Sequence, residues 1–281
     1  MRLLALLILG GLCSAAQALT VCADPNNLPF SNRAEEGFEN KLVRLLARQL
    51  HAKVSYVWWA QRRGFVRNTL TDVRCELWPG VAAGLATMAT SRPYYASGYM
   101  YVSRADRGLR NLSLEDERLR RLIIGVQLVG DDAMNTPPAH ALAALGLIDN
   151  VRGFTLYGDY SQPNPPAAIV DAVTHATVDV ALVWGPLAGY FAQRSPVPLH
   201  LQPVEAATAG WPMRYEIAIG VRRTDAALLR RVNAALDSQR RAIDRLLRDY
   251  HVPRTDLNAA LELPVPLSAG LSRPESLHAD Q

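Results

Sequence analysis

The sequence predicts an α/β protein with two lobes, each built on a mainly parallel sheet with flanking helices. Two series of alternating strand and helix patterns support this prediction, because such alternation is typical of parallel sheets covered by helices. Between the two series stands a longer apolar strand, PYYASGYMYVSR, suited to joining the lobes. A further strand, YEIAIGVRR, follows the second series and leads to helices whose apolar faces the first lobe can cover.

The first series begins at Leu19 with the strand LTVCAD and a loop rich in Pro and Asn. The next segment, FENKLVRLLARQLH, has apolar residues at helical spacing, so it predicts a helix with one buried face. The strand AKVSYVWW, a helix around GFVRNTLTDV and a short strand in CELWPGV complete this series.

The second series follows the polar stretch RADRGLRNLSLEDERLRR. It consists of the strand LIIGVQL, a helix through PPAHALAALG, the strand VRGFTLY, a helix from Pro165 to Ala176 and the strand VDVALVW. After YEIAIGVRR we predict two helical segments, DAALLRRVNAALDSQRR and AIDRLLRDYHV. The predicted divisions are a signal segment at 1–18, a first lobe at 19–103 plus 216–252, a second lobe at 104–215 and a loosely ordered tail at 253–281.

The first 18 residues have the features of a secretory signal peptide. Arg2 precedes an apolar core, LLALLILGGL, and the small-residue pattern AQA is typical of a cleavage site. A lipoprotein signal at Cys13 is the alternative, but Leu12 stands where such signals carry a small residue. We therefore predict cleavage after Ala18 and a periplasmic protein.

The charge of the chain is modest, with 30 basic residues against 26 acidic ones. Loss of the signal peptide removes Arg2, so 29 basic residues would remain, nearly all of them Arg. No block of five or six like charges occurs, which argues against a nucleic-acid or polybasic membrane surface. After Ala18, no apolar stretch approaches the roughly 18 residues that span a bilayer.

Two cysteines, Cys22 and Cys75, remain once the signal peptide and Cys13 are removed. Export to an oxidising compartment favours a disulfide between them. Two buried free thiols are the alternative.

The motifs of the common enzyme classes are missing from the sequence. The six histidines lie far apart, and none is at ligand spacing with another His, a Cys or a carboxylate. There is no nucleophile elbow, no phosphate-binding glycine loop and no dinucleotide fingerprint. We therefore predict a non-catalytic protein without metal or cofactor; the alternative is a catalytic site assembled only in three dimensions.

Candidate binding residues in the first lobe follow its predicted strands, at the sheet edge where open α/β sheets bind ligands. Asp24, Asn26 and Asn27 offer polar groups, and Phe30 offers a flat apolar face. The alternative is a Pro/Asn turn with Phe30 in the core. Arg62 precedes a helix, where a cation is poorly placed, so it either meets an anionic partner or stays solvated.

Candidates in the second lobe lie around GVQLVGDDAMNTPPAHAL, where a helix opens with proline. A helix start is a natural anion site, but aspartates there would repel an anion, and ordinary capping is the alternative. Two aromatic residues stand near later helix starts, Tyr160 before one helix and Trp184 at the beginning of another. Each either lines a cleft or packs on the lobe. The candidates are Gln127, Asp131, Asp132, Asn135, Tyr160 and Trp184.

The order of these segments resembles the type II periplasmic solute-binding proteins, in particular the polar amino acid receptors, over nearly the whole mature chain. The resemblance is carried by LTVCADPNNLPF, GFENKLVRLLARQL, SRPYYASGYMYV, IIGVQLVG, VDVALVWGPLAGYF and YEIAIGVRR. It implies two lobes that close over a ligand and are joined by crossing strands near Tyr99 to Ser103 and Ile217 to Val221. It also implies that the strands carrying Cys22 and Cys75 are neighbours.

A narrower resemblance is to the quinoprotein-dehydrogenase-associated proteins of the MxaJ/XoxJ type. It is carried by CADPNNLPFSN, WWAQRRGFVRNTL, SRPYY, GVQLVGDDAMNTPPAHAL, NVRGF, YGDY, NPPAAIVDAV and VDVALVWGPLAGYF. It implies a periplasmic accessory protein that assists maturation or activation of a PQQ-dependent methanol or alcohol dehydrogenase. The implied partners are that dehydrogenase, with a lanthanide-dependent form as one alternative, and its cytochrome c.

The departures from the amino acid receptors bear on the ligand. Amino acid receptors bind the ligand carboxylate with an Arg and the ligand ammonium with an acidic residue. The corresponding positions in this sequence are near Gly84, in an uncharged run, and at Trp184. A lost charge-assisted hydrogen bond costs about 1.5 to 3 kcal/mol, so a free amino acid is not the expected ligand. Relatives of the narrower group often carry a Glu-Arg pair at Ala86-Thr87, which is missing here. The alternative function is therefore a receptor for an uncharged or aromatic small molecule.

Overall fold

A curled sheet of ten strands organises the computed structural model, which describes residues 17–61, 65–129, 135–157, 160–205 and 210–255. In chain order the strands are β1 (Gln17–Ala23), β2 (Asn26–Asn27), β3 (Ser31–Asn32), β4 (Ala52–Trp58), β5 (Leu77–Ala82), β6 (Ala89–Thr90), β7 (Tyr95–Arg104), β8 (Ile124–Gln127), β9 (Val151–Phe154), β10 (Val180–Trp184), β11 (Leu199–Pro203) and β12 (Arg214–Val221). The α-helices are α1 (Phe38–Gln49), α2 (Pro137–Ala144), α3 (Ala168–Thr174), α4 (Gly185–Ala192) and α5 (Ala226–Asp249). Strands β2 and β3 pair only with each other, and the other ten form the large sheet.

The first lobe is built around β1, which lies between β4 and β5 and is parallel to both. Strand β12 continues the sheet antiparallel to β5, and the short β6 pairs with β12. Helix α1 covers this part of the sheet because the side chains of Phe38, Leu42 and Leu46 repeat on one face and are buried in the core. Helix α5 packs beside α1.

Strand β7 belongs to both lobes. Its first part, from Tyr95 to Gly98, pairs with β12, and its second part, from Tyr99 to Ser103, pairs with β10. In the second lobe β8 is parallel to β10, β9 is parallel to β8, and β11 is antiparallel to β7. The predicted two-lobed α/β fold is confirmed, and the lobe limits stay predictions.

The end of the chain differs from the prediction of two helical segments. Residues Ala226–Asp249 form one continuous helix, α5, whose buried residues lie between Leu228 and Leu247. No Gly or Pro interrupts it, and the Asp225 carboxylate caps its start by accepting from the backbone N–H of Leu228 at 3.0 Å. Although α5 has 24 residues, it is rich in charge, and no helix in the described ranges is long and apolar enough to cross a membrane.

Two further elements differ from the sequence prediction. Strand β11, LHLQP, was not predicted, although it alternates between apolar and polar residues from Leu199 to Gln202. The helix predicted around GFVRNTLTDV is a short helical segment that includes a π-helical turn at Arg67–Thr71. In the predicted tail, the backbone N–H of Thr255 donates to the Ala96 carbonyl at 3.0 Å, and residues 256–281 lie outside the described ranges.

The predicted disulfide between Cys22 and Cys75 is confirmed, with the two Cα atoms 5.5 Å apart. Cys22 lies on β1 and Cys75 directly precedes β5, which are neighbouring strands as the resemblance implied. Both sulfurs lie in a small buried cluster that includes Phe65 and Leu70. The bridge therefore joins two strands of the first lobe beneath the loop that contains the π-helical turn.

Candidate ligand-binding cleft

The carboxyl ends of β1, β4, β8 and β10 converge on a cavity of about 240 Å³ between the lobes. Convergence at this edge is expected, because parallel strands of an open sheet all present their carboxyl ends on the same side. Both lobes and the shared strands β7 and β12 contribute to the lining. The lining residues are Asn27, Phe30, Glu39, Gln61, Gly80, Tyr95, Tyr99, Gln127, Val129, Thr136, Tyr157, Trp184, Tyr215 and Ile217.

Four of the sequence-predicted candidates line this cavity: Asn27, Phe30, Gln127 and Trp184. The side-chain amide of Asn27 donates to Gln61 Oε1 at 2.9 Å. Phe30 also packs on the ring of Phe38, with the ring centroids 5.4 Å apart, so it is both a core residue and a cleft residue. Both interpretations of Phe30 therefore hold, because its ring packs in the core and also lines the cavity.

Asp24 and Asn26 shape the cleft without lining the cavity. The Asp24 carboxylate accepts hydrogen bonds from the backbone N–H groups of Asn26 and Gln61, at 2.8 and 2.6 Å, and so joins the loops that follow β1 and β4. The Asn26 side chain donates to the Gln162 carbonyl of the second lobe at 2.7 Å. These contacts hold the lip of the first lobe against the second.

The remaining candidates lie further out. Asn135 Oδ1 accepts from the backbone N–H of Val129 at 3.2 Å, so it orders the loop after β8, and Asn135 does not line the cavity. Tyr160 is half exposed beside the lip and does not line it either. Three candidates fall outside the described residues and stay predictions: Arg62, Asp131 and Asp132.

Trp184 lies at the centre of an aromatic wall. Its ring contacts the rings of Tyr99 and Tyr215 edge-on, with centroid distances of 5.3 and 6.1 Å. Burial raises the pKa of Tyr95, Tyr99 and Tyr215, so these hydroxyls stay neutral. Trp184 therefore both lines the cavity and packs on the lobe.

Glu39 is a cleft residue that sequence reasoning missed. It lies in the first turn of α1, is only 6% exposed and lines the cavity. Burial raises the pKa of its carboxyl from 4.5 to about 8, because removal from bulk solvent disfavours the charged form. The sequence did contain one signal of this burial. Glu39 stands three residues before Leu42 and four before Val43, so it lies on the apolar face of the helix.

Gly80 makes room for the Glu39 carboxylate. It lies in β5 where the register with β12 shifts, and its φ of +79° is a left-handed conformation that favours glycine. A Cβ at this position would collide with Glu39 Oε1. The irregularity in β5 is thus what allows a carboxylate to approach the strand backbone beside the cavity.

Replacing Gly80 by Ala is expected to cost more stability than the matched replacement of Gly84. Both residues have a similar positive φ, but a Cβ at Gly84 meets no atom within 4 Å. Gly84→Ala should therefore cost about 1 kcal/mol for the backbone alone. Gly80→Ala should cost a further 1 to 3 kcal/mol, roughly, because it displaces Glu39. Urea unfolding of the two variants measures this difference, and equal losses would show that the Glu39 carboxylate moves freely.

The charges at the cavity differ from those of an amino acid site. Among the described lining residues there is a carboxyl group, from Glu39, and no Lys, Arg or His. Gly84, where an amino acid receptor would carry its Arg, lies in an exposed turn outside the lining. Within the described ranges there is also no group of three His, Cys, Asp or Glu side chains that could hold a metal ion.

A two-lobed α/β protein with a cavity between its lobes has the architecture of a solute-binding protein. The chain belongs to the bacterial extracellular solute-binding proteins, family 3, which its residues 19–252 match.

Within that family, the chain is similar to proteins called MoxJ, MxaJ and XoxJ. It is 28% identical to Protein MoxJ of Methylorubrum extorquens over 247 residues, which cover 85% of this chain and 82% of that protein. The crystal structure of MxaJ from Methlophaga aminisulfidivorans MPT superposes with a TM-score of 0.73 at 27% identity, covering 84% of this chain and all of the other. The crystal structure of periplasmic binding protein XoxJ from Methylobacterium extorquens AM1 gives a TM-score of 0.69 at 32% identity, covering 85% and 99%. The resemblance stated from the sequence is confirmed.

Proposed function

We propose that this protein is a non-catalytic periplasmic accessory protein that binds a PQQ-dependent methanol or alcohol dehydrogenase and assists its maturation or activation. The observation that carries the proposal is the similarity to MoxJ, MxaJ and XoxJ over nearly the whole chain, including both lobes. The periplasmic location rests on the predicted signal peptide, on the family and on the periplasmic XoxJ.

The charges of the cleft support this proposal against amino acid import. A receptor for a free amino acid needs a cation for the ligand carboxylate, and the described lining residues supply none. The position of the family's ammonium-binding acid is occupied by Trp184, whose ring packs against the rings of Tyr99 and Tyr215. The chain has thus kept the fold of a receptor without the charged groups that such a receptor uses.

Co-purification from the periplasm tests the proposal. We expect the tagged protein to retain the dehydrogenase, in its apo or its holo form, while a family 3 amino acid receptor with the same tag does not. We also expect deletion of the gene to lower the yield of active dehydrogenase. Failure to bind either form, together with unchanged alcohol oxidation in the deletion strain, would exclude the proposal.

A solute receptor is the second candidate, and the aromatic cavity is the observation that favours it. Phe30, Trp184 and the amide of Asn27 line a space of about 240 Å³, which suits a small aromatic molecule. A ligand at 100 times its dissociation constant adds about 2.7 kcal/mol to the free energy of unfolding. A thermal-shift screen of small molecules therefore tests this candidate, and a screen without a stabilising compound would count against it.

A further inference from the structure

Glu39 presents a buried carboxyl group to the cavity without a basic partner among the described residues. Its side chain is 6% exposed, and neither an ion pair nor a hydrogen bond to it is found in the described ranges. Burying a carboxyl without a charge partner is costly, so its presence at a cavity calls for a partner that the described residues do not supply.

Asn27, which also lines the cavity, has a side-chain oxygen without a hydrogen-bond donor among the described residues. Asn27 is 1% exposed, and its Oδ1 atom has no hydrogen-bond donor among the described residues, although its amide nitrogen donates to Gln61. Asn27 and Glu39 are brought together by the backbone of Phe30, whose N–H donates to the Asn27 carbonyl and whose carbonyl accepts from the Glu39 N–H, both at 2.9 Å. Asn27 and Glu39 therefore both line the cavity, and the described residues give neither acceptor a donor.

The rest of the lining is suited to the hydrocarbon part of a cation. Aromatic rings from both lobes surround the space: Phe30, Tyr95, Tyr99, Tyr157, Trp184 and Tyr215. The faces of such rings attract cations, and the rings bury apolar surface as well. No cation among the described lining residues would repel a positive ligand or bind a ligand carboxylate.

We propose that the cleft binds a small organic amine in its protonated form, with the ammonium group held by Glu39 and Asn27 and the hydrocarbon part held among the aromatic rings. A protonated amine supplies the N–H donors that both acceptors lack and the positive charge that Glu39 lacks. The ligand is an amine rather than an amino acid, because a ligand carboxylate would find no cation among the described lining residues. This inference concerns the cleft alone and stands whether or not the protein binds a dehydrogenase.

Calorimetric titration with four related compounds tests the proposal. Benzylamine is the probe; benzyl alcohol removes the charge, phenylglycine adds a carboxylate, and benzyltrimethylammonium removes the N–H donors. We expect benzylamine to bind at least about tenfold more tightly than each of the other three, as one charge-assisted hydrogen bond implies. No binding of benzylamine, or equal binding of any of the three comparison compounds, would overturn the proposal.

The variant Glu39→Gln separates the carboxylate from the shape of the cleft. We expect it to bind benzylamine at least about tenfold more weakly than the wild type, while binding of benzyl alcohol is unchanged. Glu36→Gln is the matched control, since Glu36 is exposed, lies three residues away and does not line the cavity, and it should bind as the wild type does. Unchanged benzylamine binding in Glu39→Gln would overturn the proposal.

The pH dependence of binding to the wild type provides a test without any variant. Since Glu39 must give up its proton to pair with the ammonium group, benzylamine affinity should rise by up to about tenfold per pH unit between pH 6 and 8. The groups coupled to Glu39 from neighbouring elements are the hydroxyls of Tyr56, Tyr94, Tyr95 and Tyr157, whose raised pKa values keep them neutral in this range. An affinity that does not change over this range would contradict a role for Glu39.

Discussion

Removal of the Cys22–Cys75 disulfide is expected to lower the free energy of unfolding by roughly 4 kcal/mol, the chain-entropy value for a loop of this length. The two cysteines are 53 residues apart in sequence, so the bridge closes a long loop in the unfolded chain. The double variant Cys22→Ala/Cys75→Ala, compared with the wild type by urea unfolding, measures the effect. Both side chains are buried, so the variant also loses a small amount of packing.

The reduced wild type is the control that separates the bond from the packing. It keeps both sulfur atoms but lacks the cross-link, so its stability should fall by nearly as much as that of the double variant. If titration of the unfolded, unreduced protein instead detects two reactive thiols, the bridge does not form in the mature protein. The stabilisation would then have to come from packing alone.

Glu39→Gln is expected to stabilise the protein at high pH and to leave it unchanged at low pH. Burial raises the pKa of Glu39 from 4.5 to about 8. Between these values the folded protein holds the proton while the unfolded chain has released it, so the folded state binds more protons and its stability falls as the pH rises. Glutamine resembles the protonated carboxyl and does not titrate, so the variant avoids this loss.

The size of the effect follows from the difference between the two pKa values. Each unit corresponds to about 1.36 kcal/mol, so Glu39→Gln should exceed the wild type in stability by up to about 5 kcal/mol above pH 8. Near pH 4.5 and below, the two proteins should differ little. Urea unfolding at pH 4.5 and 8.5 checks this, with Glu36→Gln as the control for loss of an exposed carboxylate. An equal loss of stability at both pH values would mean that Glu39 is held by a favourable interaction.

The two expectations for Glu39→Gln are linked by the proposed ligand. A carboxyl group that destabilises the empty protein above neutral pH is explained if it is used to bind a cation. The same substitution should therefore raise stability and weaken amine binding, as is common where a binding site carries a destabilising group. A chain selected for stability alone would place a neutral residue at this position.

Local patterns in the sequence predicted most of the fold because they act over short distances. The apolar face of α1 is visible in the spacing of Phe38, Leu42 and Leu46, and the buried strand β10 is visible in VDVALVW. The single helix α5 and the edge strand β11 were not predicted. Whether one helix continues or two form depends on the surface it covers, whereas β11 carries an apolar/polar alternation that was visible in the sequence.

The sequence by itself determined the alternation of the main strands and helices, the presence of Cys22 and Cys75, and the absence of an Arg near Gly84 and of an acid at Trp184. Only the tertiary structure decided that Glu39 lies at the cavity, because its burial depends on the irregular strand at Gly80 and on rings contributed by both lobes. Desolvation is a property of all the atoms around a group, and those atoms are brought together by strands far apart in the chain. The charge of the cleft could therefore not be obtained from the segments that line it taken one at a time.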